Sequence, residues 1–91
     1  MILINMRYER VMKDGEIVQI SPHWSYTTWR TLLALAGNDR VTLEKIGEFV
    51  YGYCEDTYKV RVIVNRLSRK LGTEIEPLQN SYLLKEDVYI E

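Results

Sequence analysis

Residues 58–71 constrain the fold of this chain more than any other part of the sequence. Their apolar side chains recur at i, i+4, i+7 and i+11, along one side of an α-helix: Val60, Val64, Leu67 and Leu71. The same segment carries no acid and five cations: Lys59, Arg61, Arg66, Arg69 and Lys70. We therefore expect a helix that buries its apolar ridge, turns a positive face outward and ends at Gly72.

The net charge of the chain hides this concentration of cations. With a formal charge of −1 and a pI near 5.8, the chain as a whole is not typical of a nucleic-acid binder. Residues 58–71 nevertheless carry +5, while residues 74–91 carry five acids against one lysine. Because the local field decides where a polyanion docks, the basic helix is the natural place to look for a site.

The bulk composition predicts one intracellular domain. The 91 residues, 46% hydrophobic and 27% charged, fit a single globular domain over residues 1–91. Cys54 and His23 lack partners at metal-ligand spacing, so we expect neither a disulfide framework nor a metal site. The apolar stretches are too short for a membrane span, and the first residues do not read as a signal peptide. We expect a cytoplasmic protein that does not engage a membrane.

The first third of the chain predicts a β-hairpin followed by a helix. β-forming residues fill 2–12, and the Asp14–Gly15 pair favours a tight turn before a return strand at 17–20. Ser21 and Pro22 favour a helix start there, although the helix could equally begin nearer Ser25. Its predicted apolar face contains Trp29, Leu32, Leu33 and Ala36, and Gly37 is the predicted left-handed residue at its end.

Two shorter patterns complete the chain. Residues 43–51 predict a second helix, with Thr42 as its N-cap and Glu44 in its first turn. Residues 53–56 connect it to the basic helix, which Asp56 or Thr57 can cap. Strands are then expected at 75–78, 82–84 and 88–90, with a turn at 79–81 in which Asn80 supplies the left-handed conformation. This order predicts an α+β winged helix-turn-helix: an N-terminal β-hairpin, three helices and a C-terminal β-hairpin wing.

The outer face of the third helix suits the major groove of DNA. A rotation of about 100° per residue places five residues opposite the ridge: Tyr58, Val62, Asn65, Arg66 and Arg69. Arginine can donate two hydrogen bonds to guanine, asparagine can pair with adenine, and valine can contact a thymine methyl group. On the flanks, Lys59, Arg61 and Lys70 suit phosphates. If the helix is considered by itself, the simpler interpretation is a basic surface that is exposed to solvent and binds no ligand.

The sequence resembles the DNA-binding effector domains of OmpR/PhoB-type response regulators over nearly its whole length. Residues 65–71 read N-R-L-S-R-K-L where the family has a pattern like R-R-L-R-K-x-L. Residues 60–64, V-R-V-I-V, resemble the family's preceding V-x-V-x-I register. Residues 42–52 resemble its helix that ends in W-G, and residues 14–22 resemble its d-G-x-x-v-x-L-T-P segment.

This resemblance implies a fold with an N-terminal antiparallel sheet and a third helix that enters the major groove. Carried over by position, base-facing roles go to Arg61, Val62, Asn65 and Arg66. Phosphate contacts go to Tyr58 and Lys59, and to Tyr51, which replaces a family tryptophan; core packing is an equal alternative for Tyr51. The resemblance also implies docking as two copies on repeated half-sites, with RNA polymerase as a further partner.

The sequence also departs from the family. The wing, residues 77–83, lacks both family arginines, so contacts there are left to Gln79, Asn80 or Ser81. No receiver domain with a phosphorylatable aspartate is present in this sequence. Nothing converges on a catalytic site or a cofactor, so we do not expect an enzyme. The prediction is sequence-specific binding of double-stranded DNA and regulation of transcription. The alternative is a winged-helix module that binds RNA polymerase or another regulator without specific DNA binding.

Overall fold

The computed structural model describes residues 1–19, 24–53 and 56–91, which form a small α+β domain. Its helices are α1 (Tyr26–Leu35), α2 (Leu43–Tyr51) and α3 (Thr57–Leu71). Its strands are β1 (Ile2–Asn5), β2 (Arg10–Lys13), β3 (Glu16–Gln19), β4 (Val41–Thr42), β5 (Ile75–Leu78), β6 (Ser81–Leu84) and β7 (Val88–Ile90). Three helices followed by a β-hairpin are compatible with a winged-helix-like fold.

The strands form two sheets that enclose the core together with the helices. One sheet has the order β3-β2-β1-β7, in which β7 runs parallel to β1 and the other pairs are antiparallel. The other has the order β4-β6-β5 and is antiparallel throughout. α1 packs against both α2 and α3. The core therefore draws on every helix and on both sheets, with Ile4, Leu32, Ile46, Leu67 and Leu84 among its fully buried side chains.

The N-terminal hairpin is confirmed at its turn and is part of a larger sheet. Asp14 and Gly15 both adopt positive φ, at 50° and 86°, between β2 and β3. The predicted first strand at 2–12 divides into β1 and β2 because the Asn5 side chain accepts a hydrogen bond from the Tyr8 amide (3.0 Å) and Glu9 turns left-handed. Ile20, predicted in the return strand, lies outside the described residues.

Helix α1 begins at the later of the two predicted positions. The Ser25 hydroxyl is the N-cap and accepts from the Thr28 amide, while Ser21 and Pro22 lie outside the described residues. The predicted apolar face is shifted: Thr28, Thr31, Leu32 and Leu35 are buried, whereas Trp29 and Leu33 are only half-buried. The threonines tolerate burial because their hydroxyls are satisfied within the helix, as in the 2.6 Å bond from Thr31 Oγ1 to the Thr27 carbonyl.

The end of α1 also differs from the prediction at Gly37. Asn38, with φ of 57°, takes the left-handed conformation instead. Its side-chain amide donates to the carbonyls of Leu84 and Glu86 and accepts from the Val88 amide at 3.1 Å. These three bonds favour asparagine there, because asparagine tolerates this conformation and offers both a donor and an acceptor. Asn38 thereby ties the end of α1 to the chain segment that leads into β7.

Helices α2 and α3 follow the predicted bounds closely. Thr42 caps α2, and Gly52 ends it with φ of 86°. The Asp56 carboxylate caps α3 by accepting from the Tyr58 amide, and Gly72 ends it with φ of 62°. The predicted ridge of α3 is buried, joined by Ile63. Strand β4, which pairs with β6 just before α2, was not predicted, because two residues are too short for a periodic signal.

The C-terminal hairpin is confirmed with one correction at its turn. β5 and β6 pair across a two-residue turn, and Gln79, with φ of 52°, is the left-handed residue rather than Asn80. The Asn80 carbonyl accepts from the Leu43 amide at 2.8 Å, which ties the turn to the start of α2.

Candidate nucleic-acid interface

Helix α3 presents a row of cations that form no ion pair with the described residues. Four of its five basic side chains are exposed: Lys59, Arg66, Arg69 and Lys70. Arg61 is half-buried. Within residues 1–19, 24–53 and 56–91, none of the ion pairs involves a cation of this helix. Its positive field is therefore directed outward.

The ridge of α3 fixes which side chains face solvent. Val60, Val64 and Leu67 are fully or almost fully buried, so the side of the helix about 180° away must face outward. On that side Tyr58 is 71% exposed, and Asn65, Arg66 and Arg69 are exposed as well. The predicted set of outward residues is thus brought onto one face of one helix.

Val62 differs from the expectation of an exposed valine. It is half-buried, although helical spacing puts it opposite the ridge. Its side chain is short and lies between the longer side chains of Tyr58 and Arg66, which occupy i−4 and i+4 on the same face. Val62 and the half-buried Arg61 are therefore accessible only in part.

The beginning of α3 combines the positive end of the helix dipole with a lysine and two tyrosines. The first turn contains no acid beyond the capping Asp56, and the free amide groups there favour anions. Lys59 Nζ lies 5.9 Å from the centroid of the Tyr51 ring, which links the end of α2 to the start of α3. Tyr51 is 37% exposed, so its ring is not part of the core.

The far end of α3 carries Arg69 and Lys70 and is braced from the N-terminal sheet. Lys13 Nζ donates to the Gly72 carbonyl at 2.7 Å, and the Ser68 hydroxyl donates to the Thr73 carbonyl at 2.7 Å. At about 1.5 Å per residue, the cations from Lys59 to Lys70 extend over roughly 16 Å of helix. They form a stripe rather than a compact cluster.

The acids of the C-terminal region lie elsewhere, in contacts of their own. Strand β7 joins β1 at the edge of the N-terminal sheet, and Glu86 before it lies 3.8 Å from Lys13 Nζ. Glu76 in β5 pairs with Arg40 and, at 3.0 Å, with Lys85. The hydrogen bonds from Lys85 and then Arg40 hold the pKa of Glu76 below its ordinary value, and Glu76 in turn raises the pKa of Lys85.

Sequence reasoning missed Arg30, which positions the end of α2. Its guanidinium lies 3.9 Å from the centroid of the Phe49 ring and donates to the Phe49 carbonyl at 2.9 Å. Arg30 thus holds the last turn of α2, two residues before Tyr51. Residues 30 and 49 lie far apart in sequence, and no local sequence pattern predicts their contact.

The remaining candidate residues from the sequence contribute less to the candidate nucleic-acid interface. Gln79 and Asn80 are exposed at the hairpin turn, and Ser81 is half-buried. Trp24 and Trp29 pack against the core, as expected of large aromatic side chains. His23 and Cys54 lie outside the described residues. The described residues contain no group of three or more potential metal-ligating side chains.

The described helices are all too short or too polar to cross a membrane. Comparison with protein-family models, with curated proteins and with solved structures gives no match for this chain.

Proposed function

We propose that this protein is a winged helix-turn-helix domain of the OmpR/PhoB type that binds double-stranded DNA and regulates transcription. The observation that carries the proposal is the outer face of α3, where Arg66, Arg69 and Lys70 are exposed without an acidic partner among the described residues. Exposed cations without an ion-pair partner in the described part of the chain are available to phosphates, whose binding releases counterions from the duplex.

The shape of this face supports the major groove as its target. An α-helix fits a groove about 12 Å wide, and a helix held to the domain by one buried ridge can insert its other side. Asn65 and Arg66, both exposed near the middle of the outer face, are assigned to base edges, with Val62 and Arg61 beside them. Asparagine suits adenine, and arginine suits guanine.

The two ends of the helix are assigned to the DNA backbone. Lys59 approaches the Tyr51 ring where α2 ends and α3 begins, and the exposed Tyr58 lies in the first turn of α3, beside the positive end of its dipole. Arg69 and Lys70 provide a second set of phosphate contacts at the other end. Backbone contacts at both ends would fix the register of the helix, so that the residues between them read the sequence.

The first experiment selects bound duplexes from a random pool at near-physiological salt and then measures binding of Arg66→Ala to the selected site. We expect Arg66→Ala to weaken binding by about 1–3 kcal/mol and to relax the base preference at one position. Lys59→Ala should instead weaken binding to all duplexes and reduce the salt slope by about 1. Arg7→Ala, which removes an exposed arginine of the β1–β2 turn, is the matched control.

Two results would contradict DNA binding. One is a failure of the protein to retard any duplex at low salt. The other is equal behaviour of Arg66→Ala, Lys59→Ala and Arg7→Ala on every duplex tested. A stable complex with RNA polymerase or another regulator under those conditions would favour the protein-interaction module instead.

A further inference from the structure

A groove beside α2, on the flank opposite the candidate nucleic-acid interface, has no role in the proposed DNA contact. It lies between α1, β4 and α2 and has a volume of about 470 Å³. Four apolar side chains line it: Leu33, Ala34, Val41 and Phe49. Lys45 and Glu48, both exposed on α2, complete the lining. An apolar surface edged by one cation and one anion has the composition of a small protein-binding site.

The groove and the candidate nucleic-acid interface lie on opposite flanks of α2. Phe49 and Tyr51 are two residues apart, which separates their side chains by roughly 160° around the helix. Phe49 contacts Arg30 of α1, whereas Tyr51 lies next to Lys59 of α3. A partner in the groove would therefore leave the outer face of α3 accessible.

Phe49 is held in place before any partner arrives. The Arg30 guanidinium stacks on its ring at 3.9 Å, and the same guanidinium binds the Phe49 carbonyl. The Phe49 side chain nevertheless remains 40% exposed. A fixed aromatic side chain loses little conformational freedom on binding, which makes Phe49 a suitable anchor for an interface.

The two charged side chains make the groove complementary to a copy of itself. Lys45 and Glu48 lie at i and i+3 on α2, yet neither forms an ion pair within the described part of the chain. A two-fold axis that passes between them places Lys45 of each copy opposite Glu48 of the other. The same operation brings each Phe49 towards the apolar lining of the facing groove.

We propose that this groove is the interface of a two-fold symmetric homodimer, with a second copy of the chain as its occupant. The proposal does not depend on DNA binding, and the dimer forms without a duplex. Six lining residues are few beside the roughly 20–30 residues per side of a standard interface, so the association is weak.

The test exchanges the two charges and measures the dissociation constant by sedimentation velocity, without DNA, from about 10 µM to about 1 mM chain. Lys45→Glu alone and Glu48→Lys alone each place two like-charged pairs across the interface, and each should weaken dimerisation about tenfold or more. The double variant Lys45→Glu/Glu48→Lys restores both pairs and should dimerise like the wild type. An equimolar mixture of the two single variants should form heterodimers.

Two controls separate the interface from the fold and from net charge. Circular dichroism must give each variant the wild-type helix content. Asp87→Lys makes the same change of net charge as Glu48→Lys at an exposed site near β7, and should dimerise like the wild type. A wild type that stays monomeric at all concentrations overturns the proposal. So do single variants that dimerise normally, or a mixture that stays monomeric.

Discussion

Two regions of this protein carry cations at the surface and use them differently. Beside the β4-β6-β5 sheet, Arg40, which precedes β4, and Lys85, which follows β6, share the carboxylate of Glu76 in β5. On α3, Arg66 precedes Arg69 by three residues and Lys70 by four. The helix contains no acidic residue. Both cations beside the sheet have an acidic partner, whereas the cations of α3 form no ion pair with the residues that the structure describes.

The accumulation of cations on α3 lowers the stability of that helix. Like charges at i and i+4 destabilise a helix by about 0.2–0.5 kcal/mol per pair, and α3 contains Arg66 and Lys70 at that spacing. The buried ridge outweighs this repulsion, because each large aliphatic side chain contributes about 1.5–3 kcal/mol. A polyanion would relieve the repulsion on α3, but it would find Arg40 and Lys85 already engaged.

The largest expected effect on stability comes from comparing a substitution on the buried side of α3 with one on its exposed side. Leu67→Ala empties a fully buried position and should lower the free energy of unfolding by about 2–5 kcal/mol. Arg66→Ala, one residue earlier, should change that free energy by less than about 0.5 kcal/mol because it removes an exposed side chain. Urea denaturation followed by circular dichroism measures both. Equal destabilisation would mean that Arg66 is part of the fold rather than free.

A second pair of variants compares two asparagines. Asn38→Ala removes three hydrogen bonds to residues 84–88 and places alanine at a left-handed φ, so we expect a loss of about 1–3 kcal/mol of stability. Asn65→Ala on the outer face of α3 should leave stability nearly unchanged. If Asn65→Ala proves as costly as Asn38→Ala, Asn65 has a partner in the folded protein and is not available to a base.

The sequence was most informative where the determinants are local. The ridge of α3, the caps Thr42 and Asp56, and the terminal glycines Gly52 and Gly72 act within a few residues of their own position. Their effect can therefore be deduced without knowing the fold. The outward residues of α3 follow from the same helical spacing.

What could not be predicted depends on contacts between distant segments. The place of β7 beside β1, the pairing of β4 with β6 and the contact of Arg30 with Phe49 each join residues far apart in sequence. The face of α1 was shifted because hydrophobicity alone excludes threonine from a core, whereas hydroxyls satisfied inside the helix permit it. Val62 and Arg61 were expected to be more accessible because helical spacing ignores neighbouring side chains.

The smallest expected effect concerns the paired cations and their acid. Glu76 has a pKa below its ordinary value because Lys85 and Arg40 favour its charged form. Its stabilisation is therefore present above the pKa of an unperturbed glutamate, about 4.3, and is lost as the pH falls through the lowered pKa of the folded state. Glu76→Gln should lower the Tm slightly at about pH 7 and match the wild type at about pH 2.

Two further measurements show whether the ion pairs cause this pH dependence. Lys85→Gln removes the stronger influence on Glu76, so its destabilisation should follow the same pH profile while Arg40 retains part of the effect. Added salt should shrink the Tm difference at neutral pH, because the charges are partly exposed and screened. A Tm difference that persists at low pH would assign the role of Glu76 to packing. The cations of the sheet would then be as free as those of α3, and the contrast between the two regions would fail.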